Sequence, residues 1–333
     1  QQQGEQIALG TVVETWGSAP RQVGAKLAVN LGGGIAGSVS AGCVENAVIE
    51  AAQASIRSGE PRLLSFGVTK ESALEAGLTC GGTIRVFVEP FTAYASVYDQ
   101  VRIQMDQRRP VGVVSVLEGP PELINRKLAV FEDGRTLGDL ELAGLQERLV
   151  QDVLERFPDH PGTILEAGGL KLFVDILSRM PRLVIVGAVH IAEFLVPMAT
   201  LAEFEIILVD PRSAFATSER FPTVKTINRQ WPDEALASLG LDEDCYVVAL
   251  THDAKLDDPA LRAALASKAR YVGALGSRRA NQQRLERLRE AGLTEAQLDR
   301  LHAPIGIPLG NRSTVDIAIS ILAEIVKVRN GEA

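Results

Sequence analysis

The hydrophobic pattern is strand-like from Ile7 to Thr15, breaks at Gly17-Ser18-Ala19-Pro20, and is strand-like again from Ala25 to Asn30. Two strands are expected, with the first break a turn and Gly32-Gly33-Gly34 a hairpin. From Val44 to Arg57 the spacing becomes helical; a loop of small and polar residues follows, and Gly81-Gly82 then leads into the alternating strand Thr83 to Glu89. Residues 1–95 are therefore expected to form one α+β unit.

The stretch from Pro110 to Leu177 repeats this plan in degenerate form. Gly112-Val113-Val114-Ser115-Val116 echoes Gly10-Thr11-Val12-Val13-Glu14, and Lys127-Leu128-Ala129-Val130 echoes Lys26-Leu27-Ala28-Val29. Ala143-Gly144-Leu145-Gln146-Glu147 echoes Ala41-Gly42-Cys43-Val44-Glu45, and Ala167-Gly168-Gly169 echoes Cys80-Gly81-Gly82. Residues 96–178 are read as a second copy of the first unit. Leu145 and Ala167 stand where the first copy has its two cysteines, so this local fold does not itself demand sulfur at either place.

From Arg182 the pattern changes to short apolar strands separated by helices: Leu183 to Val186, a helix through Leu201, Glu205 to Val209, Cys245 to Leu250, a helix through Ala266, and Tyr271 to Ala274. Helices from Arg278 to Ala291 and from Thr314 to Val328 follow. Strands alternating with helices predict a parallel, doubly wound sheet, so residues 179–333 are expected to be Rossmann-like. The fold class is thus α/β, with an internally duplicated α+β region ahead of the parallel sheet. The last helix is apolar on nearly every face behind a capping-box start at Ser313 and Asp316, which implies burial within the chain or across a homodimer.

Composition narrows the function classes. With 46% hydrophobic and 23% charged residues the chain can bury ordinary cores, and its net charge of −8 argues against nucleic acid as a partner. The most apolar stretch, Leu183 to Asp210, is interrupted by Gly187, His190, Glu193, Pro197, Glu203 and Glu205, so no membrane span is expected. Three cysteines do not make a disulfide framework, and a reducing cytoplasm is the simplest setting.

Candidate chemistry gathers at strand ends. Gly187-Ala188-Val189-His190-Ile191-Ala192 sits where a Rossmann glycine turn belongs, and Asp210 ends the next strand, where an acid binds a ribose hydroxyl in dinucleotide folds. Val189 departs from that pattern, because a β-branched residue stands where a second glycine lets the backbone approach pyrophosphate. Arg212 is a reader of an extra phosphate or an ordinary surface arginine. Gly276-Ser277-Arg278-Arg279 is a second anion-friendly turn, its alternative being a capped helix with solvated charges. His190 and His252 fall at strand ends on the same edge, as ligand contacts or hydrogen-bonded loop residues, without a carboxylate spacing that makes a metal site.

Cys43 follows Gly42 at the start of the first predicted helix, where helix amides favour a thiolate. Cys80 precedes Gly81-Gly82 in a loop with open amides. Both are candidate reactive thiols, the alternative being small buried hydrophobes. No Cys-x-x-Cys pair supports zinc. Cys245 lies in a strand and is expected in the core.

Gly17-Ser18-Ala19-Pro20-Arg21, Gly24-Ala25-Lys26, Gly42-Cys43-Val44-Glu45, Cys80-Gly81-Gly82, Gly187-Ala188-x-His190-x-Ala192, Asp210-x-Arg212, Thr251-His252, Gly276-Ser277-Arg278-Arg279 and Pro304-Ile305-Gly306-Ile307 occur in this order. Together they resemble the xanthine dehydrogenase accessory proteins, the XdhC/CoxI family. The resemblance covers residues 7–329, and it departs from the family's usual glycines at Val189 and Ala41. It implies a chaperone that binds mature molybdenum cofactor and delivers it to a molybdenum hydroxylase client such as xanthine dehydrogenase, with a cysteine desulfurase as a further partner and a homodimer as the assembly. The residues then expected at the cofactor are Cys43, Cys80, Gly81, Gly82, Gly187, His190, Asp210, Arg212, His252, Gly276, Ser277 and Arg278. Arg278 would meet the pterin phosphate, and Cys43 or Cys80 would lie near molybdenum or its sulfur ligand. An NAD(P)-dependent oxidoreductase, suggested by Gly187 and Asp210, and a nucleotide-sensing module are the competing readings.

Overall fold

A near-continuous apolar run is the mark of a strand covered on both faces, and the first half of the chain builds two sheets whose central strands are largely of this kind. The computed structural model describes residues 5–17, 21–40, 42–67, 82–140, 144–157, 162–177, 180–310 and 313–331. The chain divides into two compact units, Gln1–Arg179 and Met180–Ala333.

In the first unit, β1 (Ile7–Trp16), β2 (Lys26–Asn30), β3 (Ile35–Gly37), β4 (Arg62–Gly67) and β5 (Thr83–Pro90) form an antiparallel sheet in the order β3-β2-β1-β5-β4. Helix α1 (Glu45–Ser58) buries Val48 and Ala52 against Val12, Leu27 and Val86 of this sheet. Helix α2 (Ala95–Asp106) then leads to β6 (Val111–Glu118), β7 (Lys127–Phe131) and β8 (Thr136–Gly138). After α3 (Gln146–Leu154), β9 (Thr163–Ala167) and β10 (Leu170–Leu177) complete a second sheet in the order β8-β7-β6-β10-β9. The strand order is the same in both sheets. Helix α3 packs Leu149 and Val153 on Val114, Leu128 and Val174, as α1 does on the first sheet. Val13 and Phe87 of the first sheet meet Leu117 and Phe173 of the second in a shared cluster.

The two sheets differ at one connection. Gly168 and Gly169 alone join β9 to β10, with φ of 59° and 78°, the left-handed pair that a two-residue type I′ hairpin demands. In the first sheet residues 68–82 make the corresponding link from β4 to β5.

In the second unit, β11 (Arg182–Val186), β12 (Glu205–Val209), β13 (Thr226–Asn228), β14 (Cys245–Ala249), β15 (Tyr271–Ala274) and β16 (Leu301–His302) form a parallel sheet in the order β13-β12-β11-β14-β15-β16. Leu183 and Ile185 point to a core shared with α4 (His190–Leu201) and α9 (Thr314–Arg329). Val184 and Val186 point to the opposite core, with α5 (Pro232–Leu239), α6 (Ala254–Leu265) and α7 (Arg278–Glu290). A short helix α8 (Glu295–Leu298) precedes β16. The switch point lies between β11 and β14, where open α/β sheets offer their ligand crevice.

Sequence periodicity misses β4, read as loop, because Arg62 to Gly67 take their strand conformation from pairing with β5 at a sheet edge. It also leaves α2, β13 and α5 unassigned. Helix α1 starts one residue later than expected. The last helix buries Ala318, Ser320, Ile321 and Ile325 but leaves Val315 and Ile319 38% and 43% exposed, so its apolarity is not absorbed on every face within the chain.

Candidate functional site

The first unit places Cys43 just ahead of α1, exposed to solvent as a free thiol. Its loop is held by two side chains. Ser40 Oγ accepts the amides of Cys43 (3.0 Å) and Val44 (3.1 Å), while the Glu45 carboxylate accepts the Ser40 amide (2.8 Å), the Gly42 amide (2.9 Å) and both the Ser38 and Ser40 hydroxyls. Burial pushes the Glu45 carboxyl up, but these hydroxyl and amide donors outweigh it and bring it to about 2. The amides expected to favour a thiolate are thus committed to Ser40 and Glu45. Strand direction brings the ends of β1, β3 and β4 and the starts of β2 and β5 to one end of the first sheet. Gly82 begins the approach to β5 at that end; Cys80 and Gly81 lie outside the described residues, as do Ser18, Ala19, Pro20 and Ala41.

In the second unit Gly187 follows β11 with φ of 109°, and a Cβ there would come within 2.5 Å of Thr251 Cγ2. Only glycine lets this turn lie against the end of β14. Asp210, at the end of β12, is fully buried. Its Oδ2 accepts the Ala188 amide (2.8 Å) and Arg212 Nη2 (2.7 Å); its Oδ1 accepts the Arg212 amide and Nε, both at 2.9 Å. Burial raises this carboxyl, yet the Arg212 fork and the two amides hold it below the ordinary aspartate value. Arg212 also stacks on Phe215, 4.2 Å from the ring centroid.

His190 opens α4 and is exposed, its Nδ1 3.3 Å from Glu193 Oε2. Glu193 Oε1 accepts Arg220 Nε (3.0 Å) and Nη2, and Arg220 Nη1 donates to the Ala188 carbonyl (2.8 Å). Hydrogen bonding from Arg220 keeps the Glu193 carboxyl below its usual range.

Across the switch point, Thr251 Oγ1 donates to buried Asp257 (2.6 Å), which pairs with buried Arg284 at 3.0 Å. Arg284 Nη1 donates to the Leu275 carbonyl (3.0 Å), and Asn281 Nδ2 to that of Gly276 (3.0 Å). The turns after β14 and β15 are therefore fastened together from beneath. His252 is exposed beside this link with φ of 62°, a left-handed conformation rare for a non-glycine residue. Ser277 Oγ accepts the Ala280 amide (3.2 Å) and caps α7; Arg278 and Arg279 behind it are exposed and bond to no described residue. The loop carrying Pro304 to Ile307 is strapped to α9, with the Gly306 amide donating to Glu324 (2.8 Å) and Ser320 Oγ to the Ile307 carbonyl (2.5 Å).

Cys245 is buried between Arg182 Nη2 and Asp242 Oδ1, each 2.9 Å from its sulfur, and burial pushes the thiol up to about 11. Among the described residues no group of three or more His, Cys, Asp or Glu side chains is arranged to hold a metal ion, and no helix is long and apolar enough to cross a membrane.

Asp257, Arg284, Glu193 and Arg220 escape motif reading. Two carry a signal nonetheless: Asp257 falls in helical register with Ala260, Leu261 and Ala264, and Arg284 with Asn281 and Leu288, so each is a charge on a buried face. Glu193 and Arg220 are brought together only by the fold.

Residues 183–325 match the XdhC Rossmann domain family, and residues 1–67 match the XdhC and CoxI family. The chain is 28% identical to the molybdenum cofactor insertion chaperone PaoD of Escherichia coli, over 98% of its own length and 84% of that protein. It is also 28% identical to a probable xanthine dehydrogenase subunit of Bacillus subtilis, over 98% and 94% of the two chains. An uncharacterized Escherichia coli protein, YqeB, is 26% identical over 68% of this chain, which spans 44% of that protein. In fold, the chain resembles the crystal structure of a xanthine dehydrogenase from Bacillus halodurans, with a TM-score of 0.80 at 23% identity over 99% of this chain and 93% of that one.

Proposed function

Because this chain belongs to the XdhC and CoxI family, we propose that it binds mature molybdenum cofactor as cargo and delivers it to a molybdenum hydroxylase of the xanthine dehydrogenase kind. The observation that carries the reading is its likeness to PaoD along nearly its whole length. The residues suit such cargo in kind. At the second unit's switch-point face, Arg278 and Arg279 are exposed cations without a described partner at the amino end of a 13-residue helix, a setting that suits a phosphate. In the first unit Cys43 is an exposed thiol, a soft ligand suited to molybdenum or to its sulfur. Cys80 is the second thiol of the proposal. Gly187, His190, His252, Gly276 and Ser277 belong to the turns of the second unit and Gly82 to the approach to β5 in the first, while Asp210 and Arg212 act on the cargo only through the turn they hold.

The proposal includes a cysteine desulfurase as a second partner, the cytoplasm as its place of action, and a homodimer in which Val315 and Ile319 are covered. Native mass spectrometry at micromolar concentration is expected to give the dimer; monomer alone removes that part.

The test is cofactor retention. Protein purified from a cofactor-producing host is expected to carry molybdenum and pterin in near-stoichiometric amount and to activate an apo molybdenum hydroxylase, with losses in Cys43→Ala, Cys80→Ala and Arg278→Ala. Retention unchanged in all three variants sinks the assigned residues, and protein free of pterin and molybdenum from that host sinks the function.

A further inference from the structure

We infer that the turn after β11 is closed to pyrophosphate-bridged dinucleotides, and that Val189 and the Glu193–Arg220 pair are the specificity-determining residues that close it over a floor made by Asp210. In a dinucleotide fold the amides of this turn and of the helix start face the pyrophosphate, and the acid ending the second strand holds the ribose diol. Here the first amide of the turn and the acid are already taken by the chain, and the helix start carries Val189 and Glu193.

The Ala188 amide donates to Asp210 Oδ2 at 2.8 Å. Asp210 in turn has four donors on its two oxygens and no exposed surface, which fills the roughly four lone-pair sites of a carboxylate. A ribose would have to displace the Arg212 fork from a buried acid. Val189 is the N-cap of α4, extended at φ −87° and ψ 172°, and its branched side chain packs partly on the core where the backbone would have to be bare. One turn on, Glu193 adds a carboxylate to the helix start, and its partner Arg220 is tied to the Ala188 carbonyl. A pyrophosphate would meet a like charge, and Arg220, engaged by Glu193, offers it no compensating cation. Gly187 and buried Ala192 keep the tight turn and the close helix-to-sheet contact of the dinucleotide pattern, so the fold is retained while its ligand seat is filled.

The inference is independent of the cargo proposed above, and its test uses other ligands. NADH and NADP+ are titrated into the full chain, followed by NADH fluorescence and by calorimetry. The parent is expected to show no saturable binding up to about 1 mM. Val189→Gly places a residue that an N-cap accepts, so this variant keeps the fold; Val189→Gly with Glu193→Gln also frees Arg220. The single variant is expected to gain saturable NADH binding and the double variant to bind at least about tenfold more tightly than the single, a difference of about 1.4 kcal/mol. Circular dichroism and melting temperature confirm that both are folded. Micromolar binding by the parent overturns the inference, and so do folded single and double variants that are both as silent as the parent, since other features would then exclude the ligand.

Discussion

Lys26 Nζ lies 2.6 Å from Asp175 Oδ2, and the same relationship recurs in reverse between Lys127 and Glu89 at 2.5 Å. Lys26 and Lys127 each open the second strand of their own sheet, and Glu89 and Asp175 each lie near the end of the strand beside β1 or β6. Each copy therefore lends its lysine to the other copy's acid. Lys127 is wholly buried, donates also to Ser115 (2.8 Å) and sits 4.9 Å from the Tyr94 ring centroid, whereas Lys26 keeps 29% of its side chain exposed.

Breaking the buried member of the two pairs strands a charge. Lys127→Met is expected to lower stability by about 3–5 kcal/mol because Glu89 is left without its counter-ion, and Lys127→Met with Glu89→Leu to recover most of the loss. Lys26→Met should cost less, since water reaches the space it vacates. Urea unfolding midpoints of the four proteins check this, and a double variant no better than Lys127→Met alone argues against the pair as the cause.

Glu45 predicts a pH window at the Cys43 loop. Its carboxyl falls from the ordinary 4.5 to about 2 in the folded chain, so its contribution is complete above 4.5 and is lost as pH drops toward 2. Hydrogen exchange at residues 38–44 should accelerate across that window while α1 remains protected. At neutral pH Glu45→Ala is expected to cost about 1 kcal/mol and to loosen the same residues, since the Ser40 and Gly42 amides lose their acceptor.

The Asp257–Arg284 pair predicts a coupled loss of stability and binding. Asp257→Ala leaves the buried Arg284 guanidinium with only Asp258, 4.0 Å away, as a carboxylate partner and should destabilise by about 3 kcal/mol. Asp257→Asn keeps a hydrogen-bonding partner for Thr251 and should cost less, yet still lower cofactor retention because the turns after β14 and β15 are no longer fastened by charge. Retention equal to the parent in a folded Asp257→Asn protein would separate this network from the cargo.

Arg278 and Arg279 make the sharpest distinction between binding and folding. Each is exposed and bonds to no described residue, so Arg278→Ala and Arg279→Ala should melt within about 1 °C of the parent, surface changes of this kind being worth at most about 0.5 kcal/mol. The Arg278 change is expected to weaken cofactor retention about tenfold or more, the worth of a charge-assisted hydrogen bond, with Arg278→Lys intermediate. Retention is read as molybdenum per chain after gel filtration.

Local pattern alone determined the two architectures of this protein. Strand-like patterning marks β1 and β2 and period-two alternation marks β5, the echo of Gly10-Thr11-Val12-Val13 in Gly112-Val113-Val114-Ser115 anticipates a repeated unit, and short apolar strands between helices mark the parallel sheet. These signals are local because side-chain period follows backbone conformation. The ordered motifs likewise pointed to the family. What partners each charge was decided only in three dimensions. Glu193 and Arg220 stand 27 residues apart with no pattern joining them, Lys26 and Asp175 stand 149 apart, and Asp210 reads in the sequence as a ribose acid although its carboxylate is engaged by Ala188 and Arg212. A hydrogen bond depends on position and direction in space, and the sheet order that brings β12 beside β11, or one copy's lysine to the other's acid, is set by packing across the whole unit.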